Sequence, residues 1–62
     1  MESDERYYRR RAMQEMAAAR RALTADAMQR RRLLAESYLR RLSELTGADE
    51  SRMLESMQPE YA

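Results

Sequence analysis

The sequence predicts an all-α fold: an antiparallel two-helix hairpin with a short third helix at its C-terminal end, pairing with a second copy into a four-helix bundle. Three observations lead there. From Asp4 to Thr46 there is neither glycine nor proline, and the stretch is rich in Ala, Leu, Met, Arg, Glu and Gln, the strong helix formers. Two apolar stripes of helical period are separated by Thr24-Ala25-Asp26, so no single seam runs through. Finally, all twelve basic residues are arginine, clustered at Arg9-Arg10-Arg11, Arg20-Arg21, Arg30-Arg31-Arg32 and Arg40-Arg41. A reversal near Thr24 sets the first cluster beside the fourth and the second beside the third, giving two positive belts.

The elements follow in order. The first helix is expected over residues 4–23, capped by Ser3 or Asp4 and carrying Asp4 and Glu5 where the helix dipole favours acids. Its stripe holds Tyr8, Ala12, Met16, Ala19, Ala22 and Leu23 within an arc of about 120° at 100° per residue. Thr24 then caps a second helix over 25–46, with Asp26 in its first turn. This stripe comprises Ala27, Leu34, Ala35, Tyr38, Leu42 and Leu45, with Met28 and Leu39 on its edge. Gly47 suits a left-handed closing residue. Asp49 could cap a third short helix over 49–57 carrying Met53, Leu54 and Met57, and Pro59 ends it before a tail at 58–62. A single unbroken helix through Thr24 is the alternative. The runs Arg9-Arg10-Arg11-Ala12-Met13-Gln14-Glu15 and Arg30-Arg31-Arg32-Leu33-Leu34-Ala35-Glu36 echo one another, a match that a vocabulary of helix formers also produces by chance.

At 62 residues the chain allows one small domain, with no cysteine or histidine to supply a disulfide or an imidazole metal site. The seam of a lone two-helix hairpin barely offsets the entropy of ordering its backbone. Each stripe is also wider than one seam requires, and a homodimer follows as the expectation. The expected packing interface is Tyr8, Ala12, Met16, Ala19, Leu23, Leu34, Tyr38, Leu42 and Leu45. Glu15 lies at the edge of the first stripe and Arg31 inside the second, at similar heights above the turn. They form the candidate ion pair, within the hairpin or across the dimer, fixing register more than adding stability.

The net charge of +1 conceals an asymmetry: residues 6–46 hold eleven arginines against four carboxylates, while both ends are acidic. The ends can fold onto the body or meet a neighbour. The candidate anion-binding set is Arg9, Arg10, Arg20, Arg21, Arg30, Arg32 and Arg40, read first as a solvated face. Next comes a surface for an acidic protein partner, and last a phosphate-binding surface. Nucleic acid is disfavoured because no base-reading motif, stacking platform or glycine-rich clamp accompanies the arginines. Catalysis finds no nucleophile–base pairing and no glycine-rich phosphate loop. The expectation is therefore a non-enzyme without cofactor or metal. No apolar run reaches the length of a signal peptide or a membrane span, and the alanine-rich stripes lack the Trp or Phe of an interfacial helix. The expected setting is the cytoplasm.

One further pattern runs through Tyr8, Arg11-Ala12, Glu15, Ala19 and Ala22, then Leu34-Ala35-Glu36, Tyr38 and Arg41-Leu42. It resembles short, uncharacterised alphaproteobacterial helical-hairpin proteins over residues 7–42. Such sequences often carry a proline after the turn threonine, where this chain has Ala25. The resemblance implies a helical hairpin and no established activity.

Overall fold

The computed structural model describes residues 2–57. They form helix α1 (Asp4–Arg21), helix α2 (Ala25–Thr46) and a 3-10 helix, α3 (Glu50–Met57). The two long helices fold back to back, so the chain is an all-α hairpin with a short 3-10 element at its open end. None of the helices among the described residues is long and apolar enough to cross a membrane.

The start and stop signals act where hydrogen-bonding chemistry requires them. Ser3 adopts extended backbone and its hydroxyl accepts from the Arg6 N–H at 3.2 Å, capping α1. Asp4 and Glu5 follow in the first turn and Arg20 and Arg21 occupy the last, each pair matched to the helix dipole. Thr24 caps α2 the same way, with φ −128°, ψ 156° and its hydroxyl accepting from the Ala27 N–H at 3.1 Å. At the far end Gly47 closes α2 at φ 76°, in the left-handed region that costs a Cβ-bearing residue strain, and its N–H donates to the Ser43 carbonyl at 2.8 Å.

Helix α1 stops at Arg21, two residues short of the expected Leu23. Ala22 has already turned to extended backbone at φ −64°, ψ 139°. Reversal needs a few extended residues between helices whose axes must separate by about 8–10 Å, and Ala22, Leu23 and Thr24 provide them. Leu23 is consequently 99% exposed at the tip and takes no part in the core.

The core is small. Ala12, Met16 and Ala19 of α1 meet Ala35, Leu39 and Leu42 of α2, all of them buried. Among the described residues only Leu39 and Leu42 are large side chains that are fully buried, while alanines opposite let the helices approach closely. Tyr8 and Tyr38 pack against this core, their ring centroids 6.2 Å apart. Two further members of the expected interface lie outside it: Leu34 and Leu45 are 44% and 46% exposed. Leu39, expected at the edge, sits at the centre instead. The physical reason is that α2 carries two adjacent apolar faces. One, with Ala35, Leu39 and Leu42, points at α1; the other, with Ala27, Leu34 and Leu45, is rotated by roughly 90° at 100° per residue.

The third element begins at Glu50, with Asp49 as the capping residue: its carboxylate accepts from both the backbone N–H and the hydroxyl of Ser51. It is tied to α2 by polar contacts. Ser43 Oγ accepts from the Glu50 N–H at 3.0 Å, and Thr46 Oγ1 donates to Glu50 at 3.1 Å. In a 3-10 helix adjacent residues differ by about 120°, which lets neighbouring side chains straddle the seam. Met53 goes toward Met13, Met16 and Ala17 of α1, and Leu54 toward Glu36 and Ser43 of α2. The expectation for the Met57 side chain and for a tail at 58–62 falls outside the residues so described.

Candidate functional site

Two guanidiniums, one from each long helix, converge on Glu15. This glutamate is 4% exposed and is the only buried charged residue among those described. Arg31 Nη1 donates to its Oε1 at 3.0 Å, spanning from α2 to α1, so the expected pair lies within the hairpin. Arg11, one turn before Glu15, donates from Nη2 to Oε2 at 2.7 Å. Its guanidinium carbon also stands 5.2 Å from the Tyr38 ring centroid, and Nη2 reaches the Tyr38 hydroxyl at 3.5 Å. The second guanidinium was not among the expected site residues, though its i, i+4 spacing to Glu15 is the signal that finds it.

Burial alone pushes the Glu15 carboxyl up. Hydrogen bonds from Arg31 and then Arg11 more than offset it and hold the group below its ordinary value. Arg11 is in turn held above its ordinary range, first by Tyr38 and then by Glu15. Glu15 therefore stays ionised at neutral pH as a three-way tie between helices. A carboxylate so held accepts hydrogen bonds and is a poor proton shuttle.

The arginine belts divide sharply. At the open end the acids fold onto the first cluster. Arg10 holds Glu2 through two hydrogen bonds at 2.9 and 3.1 Å, and Arg9 meets Glu5 at 3.3 Å and Glu50 at 3.9 Å. Arg41 donates to the Glu44 carboxylate at 2.9 Å, and Tyr8 and then Glu44 hold its guanidinium above its ordinary range. Glu2 is accordingly lowered by the Arg10 hydrogen bond. The belt at the turn end differs. Among the described residues, Arg21, Arg30 and Arg32 have no carboxylate partner, and Arg40 on the outer face of α2 has none either. Arg20 lies in the last turn of α1, lining a hollow with Met13, Met16, Ala17 and Met53. The candidate anion-binding set thus divides: Arg9 and Arg10 are engaged by the chain's own acids, Arg20 lines the hollow beside Met53, Arg21, Arg30 and Arg40 are exposed, and Arg32 is half-buried.

Apolar surface is distributed just as unevenly. Met13, Met28, Leu33, Leu34 and Leu45 are each between 44% and 55% exposed, in addition to Leu23 at the tip. Comparisons with protein-family models, with curated proteins and with solved structures find no match.

Proposed function

We propose that this chain is a small, cytoplasmic, non-enzymatic helical interaction module, working as a homodimer or as a subunit of a larger assembly. The observation that carries this reading is the distribution of leucine. Two leucines fill the hairpin core, while Leu23, Leu33, Leu34 and Leu45 lie at its surface. A fold that leaves more large apolar side chains outside than inside gains by covering them with protein. The resemblance to uncharacterised alphaproteobacterial hairpin proteins agrees with such a module and adds no activity. Nothing in the chemistry of the buried Glu15 favours catalysis, because its two guanidiniums keep it charged and fully satisfied. Sedimentation at several concentrations tests the proposal: the expected result is a species heavier than one chain, and a folded monomer at every concentration refutes the homodimer.

A second reading rests on a different observation: among the described residues Arg21, Arg30, Arg32 and Arg40 have no carboxylate partner, and all but Arg32 are exposed. It makes the chain a nucleic-acid-associated protein contacting phosphates, or the docking surface for an acidic protein. Salt distinguishes phosphate binding from apolar packing. Retention on a phosphate-bearing polymer weakens steeply as salt rises if the arginines release counterions, and an apolar interface hardly responds. No retention in dilute buffer retires the phosphate reading.

A further inference from the structure

The 3-10 element covers only one flank of the hairpin seam. It lies over the side of α2 that carries Glu36 and Ser43. The opposite side of α2, about 100° around from Ala35 in the other sense, carries Ala27, Leu34, Tyr38 and Leu45. Tyr38 sits at its inner margin against Tyr8 and Arg11 of α1, but among the described residues no element lies over the rest: Leu34 and Leu45 are nearly half exposed and Ala27 is half-buried. Their spacings of seven, four and seven residues are those of a helix–helix seam.

We propose that this lateral stripe of α2 docks against the same stripe of a second copy, antiparallel, with the two-fold axis passing at the level of Glu36. The inference rests on the dimer reading above and adds the surface and its orientation. Its basis is the register. Ala27 and Leu45 lie nine residues before and after Glu36, and Leu34 and Tyr38 lie two before and two after. An isologous interface requires that if residue i meets residue j, then j meets i. Antiparallel pairing about Glu36 satisfies this at every position of the stripe, setting small Ala27 against the partner's Leu45 and Leu34 against the partner's Tyr38. A parallel pairing would set Leu45 against Leu45 and leave Ala27 facing Ala27 across a gap.

The charges on the margin turn on Glu44. Arg30 has no carboxylate partner within the described chain. In the antiparallel register it comes within about 1.5 Å, along the axis, of the partner's Arg41 and about 3 Å of the partner's Glu44 at the helical rise, so this register requires Glu44 to neutralise both guanidiniums. Glu44 is 58% exposed in its side chain and already holds Arg41 at 2.9 Å, so it would bridge two guanidiniums as Glu15 does. By symmetry the same pair forms twice. The covered flank of the seam also stays free for the 3-10 element, so dimerisation requires no rearrangement of the hairpin.

The absence of native cysteine makes the test direct. Ala27→Cys and Leu45→Cys chains are prepared separately, mixed and mildly oxidised. The proposal expects a disulfide-linked species in the mixture and little from either variant alone, since two copies of residue 27 would stand about 27 Å apart. Efficient linkage of either variant with itself overturns the antiparallel register. Leu34→Glu should weaken the dimer at least tenfold by sedimentation while Gln29→Glu, at an exposed position of α2 away from the stripe, leaves it intact. If the dimer survives Leu34→Glu and the mixture fails to cross-link, this surface is wrong and the module reading stands. If the unmodified chain sediments as a monomer throughout, the reading beneath it fails as well.

Discussion

Replacing Glu15 by glutamine keeps the shape of the side chain and removes its charge. The carboxylate is 4% exposed, so in the native chain Arg31 at 3.0 Å and Arg11 at 2.7 Å supply what water would otherwise provide. A charge-assisted hydrogen bond contributes about 1.5–3 kcal/mol, but the Arg31 side chain is 51% exposed and solvent screens its share. The variant also recovers the cost of burying a charge. What remains is a net loss of about 1–2 kcal/mol at neutral pH, with the glutamine amide forced to turn one N–H toward a guanidinium. A chain of this size has roughly 3–9 kcal/mol of total stability, so Tm should fall by about 5–15 °C. Thermal unfolding followed by circular dichroism measures it. The sign with pH is fixed. Because the folded carboxyl lies below its ordinary value, the unfolded chain binds the extra proton and the stabilisation is complete above the ordinary carboxylate range. It is lost as pH falls through the lowered folded value, so the gap between native chain and variant should close in acid. Equal stability at pH 7, or a gap independent of pH, would refute the reasoning. A cycle with Arg31→Gln should show coupling of about 1 kcal/mol.

The remaining predictions concern the hairpin itself. Thr24→Ala removes the cap on the Ala27 N–H and should cost about 1 kcal/mol, read by urea unfolding. Leu39→Ala opens the centre of a core with two large fully buried residues and should cost about 2–4 kcal/mol, enough to leave much of the chain unfolded by circular dichroism at 37 °C. Leu33→Ala, at a site 52% exposed, should stay within about 0.5 kcal/mol and serves as its control.

Much of this architecture is legible in residues whose chemistry is local. Thr24 and Gly47 announce a start and a stop because a hydroxyl acceptor and a left-handed backbone are needed there and few other residues provide them. The Glu15–Arg31 contact is legible because two charges placed on apolar stripes at similar heights have few places to go. Periodicity fails where geometry is set by a neighbour. Leu23 continues the stripe of α1 perfectly well, yet the chain must leave the helix before it in order to turn. Leu39 and Leu34 traded places because a helical wheel averages two adjacent apolar faces into one direction, whereas only the approach of α1 decides which face is inside. The split of the arginine belts was legible only in part. The i, i+4 spacing encodes Glu5 with Arg9, but Glu2 meeting Arg10 and Glu50 meeting Arg9 depend on how the chain ends fold back, which no such spacing encodes.

The dependence of Tm on protein concentration probes most directly whether one hairpin suffices. Association stabilises a folded chain by mass action, so a chain completed by its own copy should melt at progressively higher temperature between micromolar and millimolar concentration. A melting temperature constant across that range, from a chain that stays monomeric, would contradict the account.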